Sequence, residues 1–213
     1  MTTIVISDLH LGSRFCHHEL FVRLLGRIPR DAVLVLNGDI VHNSRWPMPK
    51  EHRAALDLLC RESFSRRIVW VRGNHDLKFQ PAATNKIDFV ASHAIGKRLF
   101  VTHGAEFVPV ARLLRVMKAM LVMVTDRIGR ELAPSLSIAK RVPILFYPLK
   151  RWTMTNAVRF ARENGYEGIA CGHIHTREDL VIGGIRYINT GTWTETPTFY
   201  LEVSEDGMAL REA

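Results

Sequence analysis

The chain has 213 residues, of which 47% are hydrophobic and 23% charged, and its formal net charge is +8. That length suits a single domain with a full core, and the composition excludes a disordered chain. No apolar stretch is long enough to span a bilayer as a helix. Met1 leads directly into a strand-like run without a basic n-region, so no secretory leader is expected. Three cysteines, Cys16, Cys60 and Cys171, are odd in number and far apart. They argue against a disulfide framework and fit reduced thiols in a cytoplasmic protein.

In chain order, β-branched apolar runs at 4–6, 32–36, 68–71, 99–102 and 168–171 predict strands. Residues 17–27 and 51–65 carry helical spacing, with Leu20, Leu24 and Leu25 on one face of the first and Leu56, Leu59 and Cys60 on one face of the second. The last third reads as antiparallel hairpins. Gly183-Gly184 turns one, and Asp206-Gly207 separates runs 199–203 and 208–211 in another. The expected fold class is α/β, with two mixed sheets packed as a sandwich and helices outside them.

Residues 105–162 break this rhythm. They hold eleven Lys/Arg against three acids, and the remaining 18 basic and 18 acidic residues balance, so the positive surplus belongs to this segment alone. Its apolar run 113–124, with Met117, Met120 and Met123, is helix-competent, and Pro134, Pro143 and Pro148 are expected to divide the rest of the segment into short pieces. The segment reads as a basic helical insertion on a domain spanning 1–213.

The strand-like runs end alike. The first is followed by Ser7-Asp8-Leu9-His10, the second by Asn37-Gly38-Asp39, and the third by Gly73-Asn74-His75-Asp76. The fourth leads to His103-Gly104 and the fifth to Gly172-His173-Ile174-His175. A lone Asp after a strand is more often a helix cap, and a lone His more often a bonded surface residue. Five strands delivering Asp, Asn or His at their carboxyl ends, where open α/β sheets place their sites, point instead to a metal centre. Carboxylates with imidazoles suit Mn²⁺, Fe or Zn²⁺, and without a thiolate cluster a structural zinc site is disfavoured. Two neighbouring cations need a bridging anion, which a carboxylate can supply. Residues i and i+2 of a strand share a face, so Asp8 with His10 and His173 with His175 are expected to converge in that way. The neighbouring glycines keep bulk away.

The order D-x-H, G-D, G-N-H-D, H, G-H-x-H over residues 8–175 resembles the signature of the calcineurin-like metallophosphoesterase superfamily. The resemblance implies two divalent cations, one held by Asp8, His10, Asp39 and His175, the other by Asn74, His103, His173 and the bridging Asp39. It implies that His75 is the acid or transition-state stabiliser and that Asp76 orients it. Within the superfamily the chain looks most like UDP-2,3-diacylglucosamine pyrophosphatase and its relatives, through Ser7-Asp8-Leu9-His10-Leu11, the insertion after His103, and Tyr187-Ile188-Asn189-Thr190-Gly191-Thr192-Trp193. Two positions depart from these patterns. His42 stands where many members have the second Asp of G-D-x-x-D, with no Arg-Gly after it, unlike the Ser/Thr protein phosphatases. His75 stands where the lipid A pathway enzymes typically carry Arg.

The resulting expectation is a metal-dependent hydrolase, with Mn²⁺ as the metal, acting on a phosphorylated small molecule or lipid-linked substrate such as a UDP-sugar lipid or a nucleotide-linked pyrophosphate. The basic segment, with Arg112, Arg115 and Lys118 as substrate-binding candidates, reads as a solvated face, as a lid that meets phosphate and the anionic inner face of a membrane, or as a nucleic-acid contact. A phosphodiesterase or nuclease, and a catalytically inactive scaffold of the same fold, are the competing functions. The oligomeric state is not legible in the sequence.

Overall fold

The computed structural model describes residues 2–42, 47–108 and 143–213. Within them, two sheets stack face to face. The first has six strands in the order β11-β10-β1-β2-β3-β4. These are β1 (Thr3–Ile6), β2 (Val33–Asn37), β3 (Ile68–Val71), β4 (Asp88–Val90), β10 (Phe199–Val203) and β11 (Met208–Glu212). The second has five, in the order β5-β6-β7-β9-β8: β5 (His93–Ile95), β6 (Leu99–Val101), β7 (Gly168–Cys171), β8 (Arg177–Ile182) and β9 (Ile185–Thr190). β1 through β4 run parallel, β6, β7 and β9 run parallel, and the remaining pairings are antiparallel.

The alternation of side chains along a strand accounts for the layers. Val5, Val33, Val35, Val69 and Val71 face inward and meet Leu99, Val101, Ala170 and Ile188 of the second sheet. Their neighbours Ile4, Ile6, Leu34, Leu36, Ile68 and Trp70 face outward, under α1 (His18–Arg27) and α2 (Lys50–Glu62). Burial on both faces explains why these strands read as continuous apolar runs. The expected helical stripes pack as read: Leu24, Leu25, Leu56, Leu59 and Cys60 are buried, joined by Phe21, with Leu20 partly covered. On the outer face of the second sheet, α3 (Pro143–Glu163) seats Ala157, Val158 and Ala161 against Ile169, Cys171, Ile185 and Tyr187. The sandwich of two mixed sheets with helices outside is the architecture expected from the sequence.

Two readings change. Residues 143–163 form one helix of 21 residues rather than short pieces. Pro148 lies inside it and removes a single backbone bond, which the rest of the helix tolerates. From Pro143 onward the stretch counted with the basic insertion is a helix, and residues 157–161 of it lie in the core of the second sheet. Strands β4 and β5 add to the five runs read from the sequence; each has three residues, too short for a pattern to register. The run 113–124, Met117, Met120, Met123, Pro134 and the candidates Arg112, Arg115 and Lys118 lie outside the described residues. All three cysteines are buried and unpaired with one another. Among the described residues no helix is long and apolar enough to cross a membrane.

Leu59 is fully buried between α2 and the first sheet. Leu59→Ala should lower the unfolding free energy by about 2–5 kcal/mol, read as a fall in the urea midpoint at unchanged m.

Candidate metal centre

The parallel strands β1, β2 and β3 of one sheet and β6 and β7 of the other end on the same edge of the sandwich. Past β1 and β2 the chain keeps pairing: Asp8 N–H donates to Gly38 O at 3.0 Å, His10 N–H to Asp39 O at 2.9 Å and Leu11 N–H to Ile40 O at 2.8 Å. The two sheets are tied here by Asn37, whose amide reaches Thr102 O at 2.9 Å, while Gly172 N–H donates to His103 O at 2.9 Å.

Among the described residues three groups of donor atoms result, and two of them contain a carboxylate. Asp8, His10 and His175 form one, all buried; Asp39, His103 and His173 form the other, and within each the donors lie within 4.8 Å of one another. In the first, His175 Nε2 stands 3.1 Å from Asp8 Oδ1 and 3.2 Å from His10 Nε2, and His10 Nε2 is 3.9 Å from Asp8 Oδ1. In the second, His103 Nε2 stands 3.2 Å from Asp39 Oδ2, close but not aligned as a hydrogen bond. Donors about 2.1 Å from a common cation stand about 3 Å or more from each other, so these separations are compatible with ligands that share a metal. His103 is also fixed in the right tautomer. Its Nδ1 donates to Asn37 O at 3.1 Å, which leaves Nε2 as the nitrogen that could ligate a cation when the ring is neutral. The carboxylate–imidazole set fits a divalent cation such as Mn²⁺, Fe²⁺ or Zn²⁺, and the one thiol nearby does not compete, since burial pushes Cys171 well above its ordinary value.

The route to convergence differs from the sequence expectation. Asp8, His10, Asp39, His173 and His175 all have positive φ, between 53° and 66°, and no other described non-glycine residue does. Asp8 and His10 therefore reach one cluster, and His175 and His173 one cluster each, through left-handed positions beyond the strand ends, not by same-face alternation within a strand. Left-handed backbone costs an L-residue on the order of 1–2 kcal/mol. Such strain persists only where surrounding bonds over-determine it.

Those bonds are present. Both Asp8 carboxylate oxygens accept from His173 N–H, at 3.1 and 3.0 Å, and its carbonyl accepts from Trp193 N–H at 3.0 Å and Thr192 Oγ1 at 3.1 Å. Asn189 Nδ2 donates to Gly172 O at 2.7 Å. Asn189, Thr192 and Trp193 thus brace two ligand loops from the C-terminal end; the Asn-Thr-Gly-Thr-Trp run was the sequence signal for them. Two glycines are required by proximity. A Cβ at Gly73 would lie 2.3 Å from Asp39 Oδ1, and one at Gly172 would lie 2.3 Å from Asp8 Oδ2. His52 had no sequence signal; its Nδ1 accepts from Gly12 N–H at 2.9 Å and steadies the loop after His10.

Asp76, expected from the resemblance to orient His75, braces two loops. Its carboxylate accepts from Gly73 N–H at 2.7 Å, Ile40 N–H at 2.7 Å and Trp70 Nε1 at 3.1 Å. It ties the Asp39 and Asn74 loops together, and its carboxylate bonds to the loop that carries His75 rather than to the imidazole itself. Burial, then the nearby Asp39, pushes its carboxyl up. His75 is held instead by Nδ1 on His42 O at 2.7 Å, with its N–H on Asp39 Oδ1 at 2.8 Å and Nε2 3.9 Å from Asp39 Oδ2. Asn74 is exposed between Gly73 and His75.

The family model for calcineurin-like phosphoesterases matches residues 1–177. The chain belongs to this family. It is a metal-dependent phosphoester hydrolase, with the two clusters as its candidate metal-binding residues. Among solved structures, a phosphoesterase from E. coli, Yfce, is similar at 17% identity over 98% of this chain and 91% of that one, with a TM-score of 0.50. Vacuolar Protein Sorting 29 from Cryptosporidium parvum is similar at 13% identity over 100% and 96%, also with a TM-score of 0.50. At these identities the likeness is one of fold. No curated protein matches the chain. The bracing residues Asn189, Thr192 and Trp193 lie beyond the stretch that the family model covers.

Electrostatics sets a pH dependence. Burial works against charge on both Asp39 and His103. For Asp39, the surrounding His103, His75 and His10 outweigh it and hold the carboxyl well below its usual range. For His103, Asp39 and then Asp8 outweigh it and raise the imidazole to about 10. In the metal-free protein the His103 contribution to stability is complete below its unfolded value of 6.5 and is lost as pH rises through about 10. A cation must displace that proton. Affinity at the Asp39–His103 centre should therefore rise about tenfold per pH unit below 10 through this group alone. Calorimetry in buffers of different ionisation enthalpy should count one proton released there at pH 8. At His173, where φ is 66°, metal-free His173→Gly should be more stable than His173→Ala by roughly 1 kcal/mol, because glycine relieves the left-handed strain. Their thermal midpoints provide the comparison.

Proposed function

We propose that Asp8, His10, Asp39 and His175 hold one divalent cation and Asn74, His103, His173 and a bridging Asp39 the other, with Mn²⁺ as the working metal. We further propose that the bond cleaved is a phosphoester or pyrophosphate in a UDP-sugar-lipid-like or nucleotide-linked substrate. The observation that carries the metal assignment is the pair of donor clusters, joined across the sandwich at its strand ends. When bound, the two cations supply the positive charge that polarises the phosphoryl group and acidifies an attacking water.

The chain's own residues do the rest. Asp39 stays ionised, and it and Asp8 place their oxygens where cations bind. His103 and His10 present Nε2 from fixed rings. A carbonyl can only accept, so His75 carries a proton on Nδ1 toward His42 O, and Nε2 is the nitrogen turned to the site. The His75 side chain keeps 30% exposure while Asp8 and Asp39 are closed off, so it is the group a substrate reaches. Protonated at Nε2, it donates to the leaving oxygen or to an equatorial phosphoryl oxygen.

For the substrate, α3 supports an acyl-bearing molecule. Tyr147 and Trp152 are exposed on it, beside Arg151, a pairing of aromatic surface with a cation that suits a lipid headgroup at a membrane face. This reading makes the enzyme cytoplasmic and peripheral on the anionic inner membrane surface. The concentration of basic residues in 105–162 supports the second reading, a phosphodiester in nucleic acid. The retained ligands and His75 speak against an inactive scaffold.

Asp39→Ala should bring hydrolysis of an aryl phosphodiester with Mn²⁺ to background. His75→Ala should lower kcat by about 10²–10⁴-fold with metal content unchanged. Full turnover by Asp39→Ala would contradict the two-metal assignment. A Mn²⁺-supplemented screen of UDP-sugars with and without acyl chains, cyclic nucleotides and single-stranded DNA, paired with flotation on acidic liposomes, should favour the acylated UDP-sugar. Preference for DNA without liposome binding would favour the second reading.

A further inference from the structure

His42 occupies the position at which many family members carry an acid, and its imidazole is turned toward a ligand. Its Nδ1 lies 3.2 Å from His10 Nδ1, while the opposite nitrogen of His10, Nε2, lies 3.2 Å from His175 Nε2 in the first donor cluster. His10 is buried and so cannot take its second-nitrogen partner from bulk water.

Two facing imidazole nitrogens form a hydrogen bond only if one bears the proton and the other a lone pair. A neutral histidine that ligates through Nε2 carries its proton on Nδ1. Nδ1 of His10 therefore donates, and Nδ1 of His42 accepts. The geometry points to His42 as a positioning residue: its imidazole takes the Nδ1–H of His10, locking the ring so that Nε2 faces the Asp8–His175 cation site. This rests on the two-metal reading above and adds to it a role for His42. The backbone of the same residue does a second job, since His42 O accepts the Nδ1–H of His75 at 2.7 Å. One residue thus sets the tautomer of a ligand through its side chain and of the proposed acid through its main chain. An aspartate at 42 could accept the same proton but would add a negative charge beside Asp8, Asp39 and Asp76; histidine accepts without that charge.

His10, His42 and His75 also have donor atoms within 4.8 Å of one another, which on distance alone describes a third cation site. Chemistry argues otherwise. His10 Nδ1 can ligate only if the ring loses both protons, because Nε2 is already turned to the first cluster.

The test titrates the full-length metal-free chain with Mn²⁺ by calorimetry and follows the Zn²⁺-loaded chain by long-range ¹H–¹⁵N NMR. Wild type should bind two ions and show a slowly exchanging Nδ1–H from His10. H42A should bind one of the two ions about 10–100-fold more weakly and lose that proton signal. H42D, which restores an acceptor, should recover both. H42F removes the acceptor at similar ring size and serves in place of H42A if the smaller side chain fails to fold. H75A should leave the His10 signal in place. Wild type binding two ions while H42A and H42F match its affinities would overturn the role of His42 alone. Three ions in the wild type would overturn it in favour of a third site. Failure of the wild type to bind Mn²⁺ would overturn the two-metal reading, and this proposal with it.

Discussion

Two carboxylates, Asp8 and Asp39, are taken out of water at the edge where the two sheets meet, and the groups around them supply the hydrogen bonds and charge that water would otherwise give. A buried carboxylate without partners is costly by several kcal/mol. Each is surrounded instead by imidazoles and backbone N–H groups. Asp8 accepts twice from His173 N–H, and Asp39 accepts from His75 N–H with His103 3.2 Å away. These bonds also place the imidazole nitrogens. The same contacts that make the carboxylates tolerable in the metal-free protein arrange the donors that a cation needs.

This arrangement puts strain where function is. All five described non-glycine residues with positive φ are candidate ligands. The ligands stand at turns because a side chain just past a strand end can be aimed into the cleft between two sheets, whereas one within a strand must point into a core or a helix. The strain is held by groups outside the donor clusters: Asp76 across two loops, Asn37 across two sheets, and Asn189 and Thr192 from the last third of the chain. Stability and site geometry are therefore coupled, and a bracing residue far along the chain can disturb a ligand near its start.

The second outer layer is built by one long helix packed on the second sheet. Helix α3 covers the second sheet through Ala157, Val158 and Ala161, and Lys150 near its start pairs with Glu178 of β8. Of the basic residues in 105–162, Arg162 is spent on the carbonyls of Ile182 and Gly183, at the β8–β9 turn. Part of the positive surplus is thus structural, whatever the remainder does.

Local pattern along the chain was enough to reveal the layers and the chemistry. Doubly buried parallel strands demand β-branched runs, and a carboxylate–imidazole cation site demands Asp and His at strand ends, so both leave marks in residue order. How those residues work together depended on packing in three dimensions. Asp8 and His173 are 165 positions apart, and their contact arises from the stacking of the sheets rather than from any local preference. The same holds for Asp76, whose carboxylate bonds to three groups other than its sequence neighbour His75, and for His42, whose nitrogen meets His10 across 32 positions. Hydrogen-bond partners within a buried cluster are fixed by ångström-scale geometry, which residue spacing along a chain does not encode.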